Sequence, residues 1–415
     1  MTLPLPPAQP RPGPRPLPFH LMTQATSLLS SHLALPHWKS GLVNWKPLFS
    51  LQEAELRQQV ASSEAGAFHR ALSEESARRV AEFLKGVRAY RNHPYRRDLA
   101  PMPVVWQQGS SRLIDYGQGG GGPPLLLVPS LINRAYVLDL TARRSLLRWL
   151  AGQGFRPFLV DWGSPGADER EFGLEDYVAG RLSAMLDHVL AAAGPPVLLG
   201  YCMGGLLGLG LAGLRQGDLA GLVLLATPWD FHRPLGRSAR QLQSLEPALR
   251  DALAQFQQMP ADLLQILFAL QDPGAIERKF RQFAQLRPKS AAARNFVALE
   301  DWVNDCVPLT AKVAEETLFG WYGENRPALG QWRVAGQVID PGRITLPSLV
   351  MVPARDRIVP AEQALPLART LPAAKAVLVE GGHVGMLLGA RAVTEIYAVI
   401  GRAIRRMARS GSAAI

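Results

Sequence analysis

The chain has 415 residues, 47% of them hydrophobic, with 45 Lys and Arg against 34 Asp and Glu for a formal net charge of +11. That length and apolar share suit one large or two ordinary globular domains and exclude a disordered chain. Two cysteines exclude a disulfide scaffold, and no charged n-region followed by an apolar h-region opens the chain, so the expected compartment is the reducing cytoplasm.

The first 18 residues hold eight prolines and read as an extended, disordered arm. An amphipathic stretch over 19–35 follows, with Leu21, Ala25, Leu28, Leu29 and Leu33 near helical spacing, so residues 1–36 form a first segment. Residues 37–100 form a second, helical region. Two helices are expected over 51–90, the later one with Val80, Phe83, Leu84 and Val87 on one face. From 101 onward a strand pair and the glycine run 117–122 lead into a regular alternation. Strand 125–129, helix 141–152, strand 157–161, helix 174–193, strand 197–201, helix 203–214 and strand 221–226 predict a parallel α/β sheet, which strands 348–352 and 376–380 complete. Between 230 and about 345 that rhythm stops in favour of a helical pattern carrying Phe256, Phe268, Phe280, Phe283, Phe296, Trp302, Phe319, Trp321 and Trp332. This stretch is read as an inserted lid that forms a hydrophobic cap within the 101–415 domain.

Residues 189–214 contain no charge and are long enough for a membrane span. Pro195, Pro196 and seven glycines break the run, and a strand, a turn and a buried helix account for it, so no transmembrane segment is expected. Basic residues cluster at Arg78, Arg79, Lys85, Arg88, Arg91, Arg96 and Arg97 and at Arg402, Arg405, Arg406 and Arg409, with no zinc-ligand spacing, aromatic RNA-binding signature or helix-turn-helix cue. Nucleic acid is therefore not the expected partner. The basic clusters read as a solvated face or as attraction to phosphates or an anionic surface.

The chemistry-bearing motif is residues 197–206, Val-Leu-Leu-Gly-Tyr-Cys-Met-Gly-Gly-Leu. An apolar strand runs into Gly200-Tyr201-Cys202-Met203-Gly204 and on into a glycine-rich helix, the strand-turn-helix context of a nucleophile elbow with sulfur in place of the usual hydroxyl. A lone cysteine in an apolar segment is more often a small buried hydrophobe. The two glycines at the elbow offsets favour a nucleophile here. Cys306 has no such setting and reads as an inert packed thiol.

Elbow triads run nucleophile, acid, histidine along the chain. The strand 348–352 is followed by a loop bearing Asp356, and the strand 376–380 by Gly381-Gly382-His383-Val384-Gly385. Of eight histidines only His383 occupies that place. Asp230, after the strand that follows the elbow helix, is the alternative acid, with Asp356 preferred. An oxyanion site needs backbone N–H groups: Met203 supplies one, and the loop after strand 125–129 supplies the other from Ser130 or Leu131. No metal or cofactor is called for.

These features resemble one family. The thiol elbow, the loop 128–140 (Val-Pro-Ser-Leu-Ile-Asn-Arg-Ala-Tyr-Val-Leu-Asp-Leu), the run Val160-Asp161-Trp162-Gly163-Ser164-Pro165, the segment Asp301-Trp302-Val303-Asn304-Asp305 and the Gly-Gly-His-Val-Gly end are together similar to polyhydroxyalkanoate synthases, especially the shorter ones that act with a second subunit. The resemblance spans roughly 90–400, and the long amino-terminal region departs from it. It implies an α/β-hydrolase fold with a Cys202–His383–Asp356 triad. The implied enzyme is an acyltransferase that polymerises 3-hydroxyacyl-CoA, in particular 3-hydroxybutyryl-CoA, with CoA release through a cysteine thioester. Implied partners are the growing polyester, a polymer granule surface, a second copy in a homodimer and a second synthase subunit. The competing expectation is a thioesterase or polyester depolymerase of the same fold.

Overall fold

The computed structural model describes residues 11–40, 53–234 and 237–412. They fall into two compact units, one joining the chain up to Arg96 with Gln265–Asn304, the other joining Arg97–Leu264 with the chain from Asp305.

In the first unit, helices α1 (Leu17–Lys39), α2 (Glu53–Ser62) and α3 (Ala65–Arg91) accompany helices Ala275–Phe283 and Ala291–Asn304. Phe83, Val87 and Tyr90 of α3 bury themselves against Phe280, Phe283 and Val297. The Phe283 and Phe296 rings stack at 4.2 Å, and Phe280 meets Phe83 and Tyr90 edge-on. A Cβ on Gly86 would lie 2.0 Å from the Phe280 carbonyl oxygen, so only glycine admits this helix contact. Three aromatics from the stretch read as a cap thus build this unit's core.

Residues 1–10 of the proline-rich arm lie outside the described residues. From Arg11 onward the arm is ordered against its unit, contrary to the expectation of disorder. The buried Arg11 guanidinium donates from Nε to Asp301 Oδ1 at 2.6 Å and to the carbonyl oxygens of Tyr90, His93 and Tyr95. Tyr90 lies in the last turn of α3 and His93 and Tyr95 just beyond it, and a five-donor guanidinium is suited to carbonyls gathered there.

The second unit carries an eight-stranded sheet. Its strands are β1 (Val104–Gln108), β2 (Ser111–Asp115), β3 (Pro124–Val128), β4 (Arg156–Asp161), β5 (Val197–Tyr201), β6 (Gly221–Leu225), β7 (Ser348–Pro353) and β8 (Ala374–Val379). Their order is β1-β2-β4-β3-β5-β6-β7-β8; β2 runs antiparallel to β1 and β4, and the rest are parallel. Every residue of β5 and β6 is buried, which is why these strands read as unbroken apolar runs. The chain leaves β3 toward β4 on one side and returns to β5 on the other. The order therefore reverses between β3 and β5, and the crevice at their carboxyl ends is the usual ligand position of an open α/β sheet.

Helices α4 (Leu146–Gly152), α5 (Ser183–Ala193) and α6 (Met203–Arg215) link these strands. The strands match expectation within about two residues; the helix expected over 141–152 begins later, at Leu146. Residues 139–141 and 144–145 pair as short antiparallel strands, and Ser145 caps α4 by accepting from Arg148 N. The expected helix 174–193 opens with π-helical turns at Asp176–Leu182. The stretch 230–345 is mostly helical with three short antiparallel pairings, Met259 with Leu309, Arg333 with Val338 and Asn133 with Cys306.

Helix α6 lies directly on the sheet because its first turn has no side chains to hold it off. A Cβ on Gly205 would stand 1.9 Å from Thr227 Oγ1, and one on Gly204 would stand 2.1 Å from the Val128 carbonyl oxygen. Gly205→Ala is therefore expected to destabilise the chain by about 1–3 kcal/mol, the usual range for overpacking. Denaturant unfolding checks this, and an unchanged midpoint contradicts the close packing.

Candidate active site

Cys202 is the residue between β5 and α6, with φ +55° and ψ −128°. Side chains rarely adopt this conformation, which costs of order 1–3 kcal/mol and persists only where the surroundings over-determine it. Here the Cys202 N–H donates to the Leu225 carbonyl at 2.9 Å, and Gly205 N–H donates to the Cys202 carbonyl at 2.9 Å. The strained turn pushes the thiol off the sheet edge, where it is half-exposed.

His383 follows β8 in a loop where Gly381 takes φ +114°. Its Nδ1 lies 2.7 Å from Asp356 Oδ2. The other oxygen of that buried carboxylate accepts from Ile358 N at 2.8 Å and Val359 N at 2.9 Å. With Nδ1 engaged, Nε2 is the ring nitrogen left to serve Cys202. Burial of the ring works against its charge, but the negative sulfur of Cys202 and the Asp356 carboxylate outweigh it and hold the pKa at about 10. Tyr201, fully buried, donates its hydroxyl to the His383 carbonyl at 3.3 Å, its ring centroid 5.1 Å from the imidazole. Burial and the neighbouring negative groups push its phenol well above the ordinary value.

The structure thus brings together Cys202, His383 and Asp356. Asp230, the alternative acid, is engaged elsewhere: it pairs with Arg233 Nε at 2.9 Å and accepts from Asn325 Nδ2 at 2.9 Å. Cys306 is buried, its sulfur 3.7 Å from the Ala261 carbonyl.

Ser130 and Leu131 lie in the turn after β3. Trp162 Nε1 donates to the Pro129 carbonyl at 3.0 Å, and Val307 N–H donates to the Ile132 carbonyl at 3.0 Å, so both ends of the turn are held. Ser130 Oγ accepts from Ile132 N at 3.2 Å and shapes the turn from within. The approach of Gly204 to the Val128 and Pro129 carbonyls sets Met203 beside it. As the first residue of α6, Met203 has an N–H with no partner one helical turn back.

Sequence reasoning passed over Tyr322. It sits in the π-helical segment Glu315–Gly323, its ring 4.6 Å from Phe231, and its phenol is held well above the ordinary value by burial and by the charges of Cys202 and Asp356. The neighbouring Trp321 was legible as one more apolar aromatic; a phenol beside the thiol depends on the π-helical register, which leaves no periodic signal. Among the described residues no three His, Cys, Asp or Glu side chains form a metal cluster, and no helix is long and apolar enough to cross a membrane.

This strand order, with a strained cysteine at the β5–α6 turn facing a buried His–Asp pair, defines an α/β-hydrolase architecture. The chain belongs to the alpha/beta hydrolase fold family, whose model matches residues 123–390. Within it, the chain is similar to the poly(3-hydroxyalkanoate) polymerase subunit PhaC of Haloferax mediterranei, 29% identical over 312 residues that cover 72% of this chain and 63% of that protein. It is also similar to the polymerase subunit of the same name from Allochromatium vinosum, 28% identical over 314 residues, 73% of this chain and 88% of that one. The match to the Haloarcula marismortui subunit spans 54% of that protein's length. A thermophilic esterase from Thermogutta terrifontis aligns with a TM-score of 0.42 and 19% identity, over 74% of this chain and 98% of its own.

The raised pKa of His383 carries a sign that can be tested. Free histidine titrates near 6.5, so stabilisation by the charged ring is fully present below that pH and is lost as pH rises through about 10. In an imidazole NMR titration the His383 ring is expected to stay charged through pH 8 and to titrate lower in Cys202→Ala, which removes the largest raising influence. Equal midpoints in the two proteins contradict the coupling.

Proposed function

We propose that the chain is an acyltransferase that polymerises 3-hydroxyacyl-CoA, in particular 3-hydroxybutyryl-CoA, into polyhydroxyalkanoate. The observation that carries the reading is the thiol of Cys202 at the strained β5–α6 turn, its charge acting on a histidine whose Nδ1 is held by a buried carboxylate. Similarity to polymerase subunits supplies the substrate class.

In this mechanism Cys202 gives its proton to His383, and a neighbouring imidazolium together with a helix amino terminus favours the thiolate. The sulfur attacks the thioester carbonyl, and the developing oxyanion is met by the N–H of Met203 and by that of Ser130 or Leu131. The carbonyl re-forms as the bond to the CoA sulfur breaks, and CoA leaves with the proton from His383. One thioester has replaced another, so the acyl group stays activated. The hydroxyl of a 3-hydroxyacyl unit then gives its proton to His383 and attacks the acyl-cysteine, forming the polymer ester and releasing the Cys202 sulfur. Asp356 orients the imidazole and stabilises its charge throughout.

Contact with a polymer granule is part of the proposal and rests on α1. Met22, Leu29 and Leu33, at helical spacing on one side, are 69%, 67% and 73% exposed.

Cys202→Ala is expected to abolish CoA release from 3-hydroxybutyryl-CoA without unfolding the chain, while Cys306→Ala keeps most activity. Turnover by Cys202→Ala within a few-fold of wild type rules out the nucleophile. His383→Gln should cost more in acylation than Asp356→Asn, because a misoriented imidazole still accepts a proton from a thiol. CoA release without insoluble polymer assigns the chain to thioester hydrolysis instead.

Joint replacement of Met22, Leu29 and Leu33 by serine should leave turnover of dissolved substrate unchanged and reduce co-sedimentation with polymer granules. Unchanged sedimentation removes α1 as the contact.

A further inference from the structure

A cavity of about 520 Å³ lies within the second unit, in the size range of small-molecule sites. Arg112 of β2 stands directly opposite Asp161 of β4, and Ile114 opposite Leu159, so these four project from one face of the sheet and form the cavity floor. Arg97 lines it from the segment before β1, and Arg134 and Tyr136 from the loop after β3. Asp139 and Asp305 stand among these arginines, and the floor is partly apolar.

The three guanidiniums are held in place yet reachable. Arg97 donates from Nη2 to Asp139 Oδ2 at 3.0 Å and lies over the Tyr136 ring at 5.2 Å. Arg112 Nη2 reaches Asp161 Oδ2 at 2.5 Å, and Arg134 Nε lies 3.5 Å from Asp305 Oδ1. Their side chains remain 34%, 43% and 33% exposed. Asp139 is itself buried and also takes Arg148 Nε at 2.8 Å and the Tyr116 hydroxyl at 2.9 Å. Three arginines and three aspartates thus line the cavity, each arginine paired with one of the aspartates. The carboxylates fix the arginine forks: Arg97 spends Nε and Nη2 on Asp139 and Arg112 spends Nη2 on Asp161, and a guanidinium with five N–H donors keeps others for a ligand after such bonds.

The cavity sits within reach of the thiol. Leu127 of β3 pairs with Leu159 of β4 on one side and Leu199 of β5 on the other, so Asp161 and Tyr201 stand level at the carboxyl ends of their strands. Two strand spacings separate them, about 10 Å, and Arg112 is one further, about 15 Å from β5. The pantetheine arm of CoA, with about as many chain bonds as four extended residues, spans roughly 14 Å.

We infer that this cavity binds the phosphate-bearing nucleotide end of the acyl-CoA substrate, with Arg97 and Arg112 as phosphate ligands and the pantetheine arm crossing the ends of β4 and β3 to Cys202. The inference rests on the acyl-CoA reading above. It separates recognition of the carrier from chemistry on the acyl group, so a substrate without the nucleotide gains nothing from these arginines.

The test compares 3-hydroxybutyryl-CoA with the N-acetylcysteamine thioester of the same acid, using the full chain and its Arg112→Gln and Arg97→Gln variants. The preference for the CoA thioester, read as the ratio of the two kcat/KM values, is expected to fall about tenfold per arginine through KM, in line with loss of a charge-assisted hydrogen bond. An unchanged ratio, or equal losses on both thioesters, overturns the assignment. Calorimetric titration of CoA into full-length Cys202→Ala, with and without Arg112→Gln, reads the same site without turnover, and equal affinities also overturn it. A wild-type chain that binds CoA in an Arg112-dependent way but processes neither thioester supports the cavity and rejects the acyltransfer reading.

Discussion

The arrangement depends on one tight turn, the place where β5 ends and α6 begins. A cysteine at φ +55° is tolerable only if the strand before it and the helix after it are both immovable. The strand is buried along its length and paired on both sides, with β3 and β6. The helix is pressed to the sheet through glycine contacts that leave no room for a methyl group: a Cβ on Gly200 would lie 2.4 Å from Gly205 Cα, and one on Gly205 nearer still to Thr227. The same approach lowers the amino end of α6 toward the carbonyls at the end of β3. The cysteine's exposure, the position of the Met203 N–H and the neighbourhood of the Ser130–Leu131 turn are therefore consequences of a single steric condition.

Around that turn the electrostatics are set by opposition between burial and pairing. An imidazole shut away from water resists a charge, and alone it would titrate below its free value. Cys202 first and Asp356 second reverse this, and the Asp356 carboxylate is fixed beside Nδ1 by two backbone N–H groups, from 358 and 359. Tyr201 adds a geometric hold, its hydroxyl fixing the backbone of the residue that bears the ring. The cysteine and the histidine arrive from strands on opposite sides of β6, and this buried bond ties the loop of one to the strand end of the other.

The steric part of this arrangement was legible in the sequence because it is local. Gly200, Gly204 and Gly205 stand within a few residues of Cys202, and the strand–helix alternation is carried by apolar runs of the right length. Which loop carries the acid is a tertiary matter: Asp230 and Asp356 both follow strands, and only the structure shows the first committed to Arg233 and Asn325 and the second to His383. The aromatic residues between 230 and 345 announced a buried face but not its partner, so nothing in the pattern of Phe280, Phe283 and Phe296 revealed that Phe83 and Tyr90, some two hundred residues earlier, complete their core. Arg11 shows the same limit, since a proline-rich arm looks disordered unless the carbonyls at the end of α3 are known to accept from it.

The dependence of His383 on Cys202 bears on how one imidazole can serve two steps. A free, negative sulfur is the largest influence raising the ring's pKa, and in the proposed mechanism the ring then holds the proton that the thiol gives up. Under the proposed mechanism, transfer of the acyl group to sulfur removes that negative charge and leaves a neutral thioester beside the ring. Burial, which opposes the imidazolium, then has only Asp356 set against it, so the ring's affinity for its proton falls at the moment the departing CoA sulfur needs one. The neutral imidazole that remains is the base that the incoming hydroxyl requires. A serine at the same turn would not couple the steps in this way, because an alkoxide is not a resting partner for imidazolium near neutral pH. In the proposed mechanism the thiol therefore does more than form an activated ester: its charge sets when the histidine holds a proton and when it accepts one.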